Sequence, residues 1–265
     1  MTVSNGYSAS SQSFTGSQAL KFTATSITNP RSLQPTGTFA FAIKSSSGSD
    51  IYTVTGSTLA VTTASTFSSV AIAQSVGTNG ASTSYTWTLT TNSQLVAGDL
   101  IKITPPSSIV VASPSCSGVT GLASSLACSM SSGSLFVTVA FARRRQLAPG
   151  DPGTYSFTTS GLTNAPSTAP SSTFTVQSML SDQSYLIEQD SSATVSNSAS
   201  GTITSASVAA DSVALSTAVS YTLTFTPVNY VQGMSFKVTL PIQLSISSGT
   251  NTCTNVQGLT DATFN

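Results

Sequence analysis

Short runs in which apolar and polar residues alternate recur along the whole chain. Clear examples are Tyr85–Thr90, Leu100–Thr104, Leu135–Phe141 and Tyr221–Thr226. Each run places apolar side chains on one face and mostly hydroxyl groups on the other, which is typical of a half-buried β-strand. Strong helix formers are scarce, and turn residues such as Pro149–Gly153 separate the runs. The pattern predicts an all-β protein built from antiparallel β-sandwiches.

The same strand pattern returns later in the chain at a nearly constant spacing. The matching segments are Ser84–Thr86 with Ser220–Thr222, Ile101–Thr104 with Phe236–Thr239, Cys116 with Cys253, Ile27–Asn29 with Leu162–Asn164, and Thr38–Phe39 with Thr173–Phe174. Apolar residues match apolar residues, and turn residues match turn residues. Because a slip of one residue would turn a strand inside out, the preserved register indicates a shared fold.

The repeat predicts three parts along the chain. Residues 66–199 contain about eight candidate strands, which suits one complete immunoglobulin-like domain. Residues 1–65 match only the C-terminal part of that domain, and residues 200–265 match only its N-terminal part. The predicted fold class is therefore all-β, with tandem immunoglobulin-like antiparallel β-sandwich domains.

The two half-domains leave three arrangements open, because the two ends of the chain interrupt the repeat unit at nearly the same point. The chain is a window of a longer tandem array, or a subunit whose half-domains are completed by neighbouring copies, or a monomer that closes on itself. The segment Met1–Asn5 lacks the basic and apolar profile of a signal peptide. A window of a longer array would explain why these residues lack that profile, and we expect this arrangement over the other two.

Charge is unusually sparse. The 265 residues include 8 Lys and Arg, 8 Asp and Glu and no His, while more than a third are Ser or Thr. A net charge of zero offers no electrostatic attraction for nucleic acid. Without His the chain lacks the commonest general base and metal ligand, and no apolar run is long enough for membrane insertion. We expect no enzyme, no cofactor and no metal.

Two of the three cysteines are placed to form a disulfide if the compartment is oxidising. Cys116 and Cys128 flank a Gly- and Ser-rich stretch, so they form either a disulfide or a pair of buried thiols. Cys253 matches Cys116 in the next copy, and its partner is expected outside the chain. Three cysteines in two domains cannot supply the four ligands of a structural zinc site.

Four further features have a functional and a structural interpretation. Arg143–Arg145 is either a processing or acidic-partner site or an exposed loop, and the loop is favoured. Asp182, Glu188 and Asp190 resemble a calcium or hydrolytic cluster, but they are not repeated and nothing pairs them. Trp87 is expected in the core. The loop containing Ser167, Thr168, Ser171 and Ser172 is either a plain polar loop or an O-glycosylation site.

The motifs together suggest a family. The segment Ser84–Thr86, the run Ile101–Pro106, the pair Cys116 and Cys128, and the run Gly153–Phe157 resemble the immunoglobulin-like tandem repeats of very large surface proteins of ciliates and other protists. That resemblance implies a secreted or surface-anchored array, such as a mastigoneme-like filament, without catalytic residues.

The leading hypothesis is a structural segment of an extracellular filament or cell-surface coat that assembles head to tail with copies of itself. A surface of hydroxyl groups suits close lateral packing, since little charge has to be desolvated. The alternative is an adhesin-type module whose loops at one end of the sandwich bind a glycan or a protein.

Overall fold

The structure is all-β. The computed structural model describes residues 23–45, 47–141, 153–214, 218–227 and 236–244. These residues contain no helix, so none is long and apolar enough to span a membrane. The strands are β1 (Phe39–Lys44), β2 (Asp50–Ser57), β3 (Ser65–Thr66), β4 (Ser69–Gln74), β5 (Ser82–Thr90), β6 (Leu100–Thr104), β7 (Val110–Thr120), β8 (Cys128–Ser131), β9 (Ser134–Thr138), β10 (Thr154–Thr163), β11 (Thr175–Met179), β12 (Leu186–Asp190), β13 (Ile203–Ala210) and β14 (Tyr221–Pro227).

The chain divides into two compact units, Met1–Asn229 and Tyr230–Asn265. All the described strands lie in the first unit. In the second unit, 236–244 form a turn in which the Leu244 amide donates to the Pro241 carbonyl at 3.0 Å. The run Phe236–Thr239, which matches β6 in sequence, is not a strand in this unit.

Two sheets in the middle of the chain share one core, which we call the central core. One sheet has the order β4-β5-β10-β7, and the other has the order β3-β12-β11-β6-β9-β8. Neighbouring strands are antiparallel except for the short pair β3 and β12, which is parallel. The buried side chains of this core run from Phe67 to Val195. The predicted all-β antiparallel architecture is therefore confirmed.

The alternation of β5 explains how the core forms. Tyr85, Trp87 and Leu89 are fully buried, while the intervening threonines face outward, as expected for period two. Trp87 stacks on Phe157 with ring centroids 6.4 Å apart and meets Phe174 edge-on at 5.4 Å. Phe157 belongs to the same sheet as Trp87, whereas Phe174 precedes β11 in the other sheet. This aromatic cluster joins the two sheets, and the expected core position of Trp87 is confirmed.

The buried polar groups of Tyr85, Trp87 and Asn164 are joined by hydrogen bonds. Trp87 Nε1 donates to Thr159 Oγ1 at 2.9 Å, and the Tyr85 hydroxyl donates to Asn164 Oδ1 at 3.0 Å. Asn164 Nδ2 in turn donates to the carbonyl of Val76 at 2.6 Å. Burial raises the pKa of Tyr85 to about 12, so its hydroxyl keeps the proton that this bond requires.

A disulfide joins Cys116 to Cys128, with Cα atoms 6.0 Å apart. Cys116 lies in β7 of the four-stranded sheet, and Cys128 begins β8 of the six-stranded sheet. The bond therefore links the edges of the two sheets, and the predicted pairing is present. Cys253 and Arg143–Arg145 lie outside the described residues.

The sequence repeat extends to the hydrogen-bonded register of β1 and β2, which we call the first hairpin. Phe41 pairs with Val54, as the matching residues Val176 and Asp190 pair in β11 and β12. Both hairpins have a register irregularity at the same place, between Ile43 and Lys44 in one and between the matching residues of β11 in the other. The repeat therefore preserves the irregular step of the ladder as well as its regular pairs.

The register is also repeated in β13 and β14, which we call the last hairpin. Every pair from Ser205↔Thr226 to Ala210↔Tyr221 corresponds in the repeat to a pair of β4 with β5. The hydrogen bonds beyond the strand ends match too. The Ser75 amide donates to the Ser84 carbonyl at 2.9 Å, and the Asp211 amide donates to the Ser220 carbonyl at 3.1 Å.

Most predicted strands agree with the structure, but one is shorter. The run Leu135–Phe141 was expected to be one strand, whereas β9 ends at Thr138. The Val139 amide leaves the ladder and donates to the Asp99 carbonyl at 2.8 Å. The following residues cover the core instead of extending the sheet, and Ala140 and Phe141 pack against it.

The disulfide generates a stability prediction. Its cysteines are 12 residues apart, and closing a loop of this size restricts the unfolded chain by about 3 kcal/mol. Reduction should therefore lower the free energy of unfolding by about that amount, measured by urea denaturation followed by Trp87 fluorescence. The variant Cys116→Ala/Cys128→Ala should already be destabilised and should not respond to reductant. Equal stability of the oxidised and reduced wild-type chain would contradict the prediction.

Candidate assembly surfaces

The first hairpin has an apolar face that no described residue covers. Its antiparallel register places Phe41 opposite Val54 and Ile43 opposite Tyr52, so these four side chains share a face. Phe39 lies on the same side of β1, two residues before Phe41, and its ring stacks on that of Phe41 at 6.4 Å. All five residues are exposed, with 45–70% of their surface accessible.

Four of the five corresponding residues of the central core are buried, and Asp190, which matches Val54, is half-buried. Phe174, Val176, Ser178 and Glu188 match Phe39, Phe41, Ile43 and Tyr52, and each of the four is 0% exposed. In the central core these side chains face the four-stranded sheet. The first hairpin therefore presents the inner face of a two-sheet core without the sheet that covers it.

The last hairpin presents the complementary inner face. Val208, Tyr221 and Leu223 lie on one side of its ladder and are exposed. They match Ile72, Tyr85 and Trp87, which pack into the central core. The opposite side of β14 carries Thr222, Thr224 and Thr226. This hairpin thus has an apolar face and a hydroxyl face, like β4 and β5, but its apolar face is exposed to solvent.

The outer face of the four-stranded sheet is rich in hydroxyl groups, and we call it the hydroxyl face. Its cross-strand hydroxyl pairs are Thr86 with Thr158 at 3.1 Å, Thr90 with Thr154 at 3.2 Å, Thr88 with Ser156 at 3.5 Å and Ser115 with Ser160 at 2.6 Å. None of the four strands contains a charged residue. The hydroxyl groups bond one another across the strands, so a neighbouring molecule could approach this face without desolvating a charge.

The segment before the first hairpin is attached to the central core by an ion pair. Both guanidinium nitrogens of Arg31 donate to the Asp99 carboxylate, at 2.7 and 2.9 Å. Asp99 is 2% exposed and also accepts a bond from the Val96 amide at 2.7 Å. The Leu33 amide donates to the Leu186 carbonyl at 2.8 Å. These contacts fix the segment that leads into the first hairpin against the 91–99 loop and the start of β12.

A cleft of about 420 Å³ lies beside this attachment. Its lining includes Pro30, Arg31, Gln34, Val96 and Asp182. Arg31 is already engaged with Asp99, so the cleft is formed by the attachment itself.

Glu188, the only glutamate in the sequence, is buried in the central core. Its Oε1 accepts bonds from the amides of Asn92 at 2.7 Å and Ser93 at 2.5 Å. Its Oε2 has no hydrogen-bond partner among the described residues. Burial raises the pKa of the Glu188 carboxyl, although the two backbone bonds act in the opposite direction. The carboxyl holds the loop after β5 against β12.

The acidic residues singled out from the sequence do not converge. Asp182 lies in an exposed turn and accepts a bond from the Ser184 amide at 3.0 Å. Asp190 accepts a bond from the Ser192 amide at 2.9 Å, and Glu188 is directed to the backbone of another loop. No group of three potential metal ligands is found among the described residues.

The hydroxyl-rich loop is mainly exposed. Ser167, Thr168 and Ser172 are accessible. Ser171 is buried, and its Oγ accepts a bond from the Val195 amide at 3.1 Å. If this loop carries O-linked sugar, the geometry favours the three exposed hydroxyls over Ser171.

Sequence reasoning missed the Arg31–Asp99 pair and the burial of Glu188. The ion pair joins residues 68 positions apart, and nothing in the local pattern indicates that they meet. The sequence contained a weak indication that Glu188 is buried. It lies two residues after Leu186, on the same side of the strand, and it matches the aromatic residue Tyr52 in the earlier copy.

Replacing Glu188 should change how stability depends on pH. The folded pKa of the carboxyl is raised above its ordinary value near 4.5. The stability that its protonated form contributes is therefore full below that value and is lost as pH rises through the folded pKa. As the pH rises through this range, the free energy of unfolding of the wild type should fall relative to that of Glu188→Gln. The fall should be about 1.4 kcal/mol for each pH unit by which folding raises the pKa.

The measurement is urea denaturation of both proteins between about pH 4 and pH 8, a range that brackets the ordinary pKa of a glutamate. Asp182→Asn provides the control, because it removes a carboxylate from an exposed turn. If the free energy of unfolding of the wild type and of Glu188→Gln changed in parallel with pH, Glu188 would not be the group that makes stability depend on pH.

Removing Arg31 should release the segment before the first hairpin. Arg31→Ala leaves Asp99 without its ion-pair partner, and breaking a buried charged bond of this kind costs about 1–3 kcal/mol. The Leu33 amide should then lose its protection from hydrogen exchange. Lys44→Ala is a matched control, since it removes the Lys44–Asp50 pair, whose side chains are 55% and 52% exposed. Unchanged protection at Leu33 in Arg31→Ala would contradict the prediction.

Comparison with known proteins does not add a family to these observations. No protein-family model matches the chain, and no curated protein matches it at a significant level.

Proposed function

We propose that this chain is a structural repeat segment of an extracellular filament or cell-surface coat, and that it assembles head to tail with copies of itself. One observation carries the proposal. The strand register of the central core recurs in a hairpin on each side of it, and both hairpins expose the face that the central core buries. A face of this kind on a soluble protein marks an interaction surface.

The strand order supports tandem immunoglobulin-like domains. In such domains one sheet has the order A-B-E-D and the other contains G-F-C. Here the order β4-β5-β10-β7 corresponds to the first sheet, and β12-β11-β6 corresponds to the second. The hairpin of β8 and β9 is then an insertion between strands D and E that extends the second sheet beyond strand C. The proposal keeps the domains predicted over 1–65, 66–199 and 200–265, although the two compact units divide the third of them after Asn229.

The chemistry of the central core supports a structural role outside the cell. The Cys116–Cys128 disulfide suits an oxidising compartment. The hydroxyl face allows lateral packing without the desolvation of charge. The proposal assigns no catalysis, because Asp99 is paired with Arg31 and Glu188 Oε1 is bound by backbone amides.

The second candidate is an adhesin-type module. It is favoured by the 420 Å³ cleft beside Arg31, which could receive part of a glycan or a protein. The two candidates differ in what the apolar faces do, since an adhesin does not need them for binding at the cleft.

Electron microscopy and sedimentation velocity of the purified 265-residue chain test the proposal. We expect an average mass that rises with concentration, and regular fibres in the micrographs, because the interaction joins two different faces and does not close. A monodisperse species of 26.8 kDa at every concentration would contradict self-assembly.

A further inference from the structure

We infer that the apolar face of the first hairpin receives the last hairpin of a second copy of this chain, with Phe39 packing against Tyr221 and Leu223. This inference rests on the proposed function and deepens it, because it names the two surfaces that meet and the side chains at their centre.

The central core supplies the template for this contact. There, Phe174 of one sheet meets Tyr85 and Trp87 of the other sheet edge-on, with ring centroids 6.1 and 5.4 Å apart. These rings are among the most buried side chains of the protein. The contact joins a side chain next to β11 with two inward side chains of β5.

Each of these residues has a counterpart in the hairpins. Phe39 occupies the position of Phe174 in the repeat, and Tyr221 and Leu223 occupy the positions of Tyr85 and Trp87. The correspondence is geometric as well as sequential, since both hairpins keep the register of the strands that they match. The leucine fills less space than the tryptophan it replaces. Tyr52, which replaces the buried Glu188, adds volume and removes a carboxyl group from the face of the first hairpin.

The two faces are chemically compatible. The first hairpin contributes Phe39, Phe41, Ile43, Tyr52 and Val54, and the exposed side chains of the last hairpin include Val208, Tyr221 and Leu223. Neither face contains a charged side chain. In the first hairpin the charged residues Lys44 and Asp50 lie beyond the register irregularity and pair with each other. Association would therefore bury apolar surface without isolating a charge.

The attachment points favour a second copy over the same copy as the partner. The segment that leads into the first hairpin is held at the loop after β5, where Arg31 binds Asp99. The last hairpin leaves from the opposite end of β5, where the Ser198 amide donates to the Gly77 carbonyl at 2.8 Å and the Asn79 amide donates to the Ala199 carbonyl at 3.0 Å. β5 has nine residues, so about 30 Å of sheet separates these points.

The two hairpins of one chain are attached at opposite ends of its central core, so we expect each to contact a hairpin of a neighbouring copy and not the other hairpin of its own chain. Such a contact joins a first hairpin to a last hairpin, so each added copy leaves one of each free. The interface is heterologous and extends into a filament. Each junction would complete a second two-sheet core between successive central cores.

Two variants of the full chain test the contact, each with a matched control. Phe39→Asp and Leu223→Asp place a charge in the centre of each apolar face. Thr53→Asp and Thr222→Asp place the same charge on the opposite side of the same hairpins. The first two variants should raise the apparent Kd for self-association by more than about tenfold, and the controls should not. The fluorescence of Trp87, the only tryptophan, reports whether the central core is still folded.

A mixture of the two disruptive variants gives the sharpest result. Phe39→Asp keeps an intact last hairpin, and Leu223→Asp keeps an intact first hairpin. Their mixture should form one-to-one dimers that do not grow, measured by sedimentation velocity. Polymerisation of both variants at the wild-type concentration would overturn the inference but leave the proposed self-assembly standing.

Two other outcomes are informative. If the wild type stays monomeric while its hairpin amides are protected from hydrogen exchange, the hairpins pair within one copy, and the second copy is excluded. If the wild type stays monomeric with unprotected hairpins, both the inference and the proposed function fail.

Discussion

The apolar face of a β-sheet must be buried against another element, and in the central core of this protein that element is a second sheet. In the central core the constraint is met, because Tyr85 and Trp87 of one sheet pack against Phe174 of the other. In the two flanking hairpins the same faces are formed by the same register but are exposed. The difference between a closed core and an open one therefore lies in the partner, and not in the local pattern of the strands.

The small number of charged residues is consistent with this arrangement. The four strands of the sheet that carries Trp87 contain no charged residue, and their outward hydroxyls bond one another. The few charges of the described residues are instead used at specific points. Asp99 and Arg31 attach the preceding segment, and Glu188 holds the loop after β5. These ionisable groups hold neighbouring segments against the central core, and under the proposed function the apolar and hydroxyl faces are left for contacts between copies.

The sequence predicted the local elements well because strand alternation is a local property. β6 coincides with the predicted Leu100–Thr104 run, and the inward position of Trp87 follows from period two. The Cys116–Cys128 pair was also predictable, since its residues are close in sequence. Contacts across the fold were not: Arg31 meets Asp99 only because of the way the segment before the first hairpin folds back on the core. Likewise, Ser171 resembles its exposed neighbours in sequence, but the fold buries it where its Oγ accepts a bond from the Val195 amide.

Cryo-electron microscopy of the assembled chain tests the central claim most directly. A map of the fibre should show two kinds of two-sheet core in alternation, one formed by a single chain and the other formed by the first hairpin of one copy and the last hairpin of the next. Phe39 should then lie against Tyr221 of the neighbour. A fibre in which copies touch only through the hydroxyl face, with both hairpins exposed, would contradict the claim.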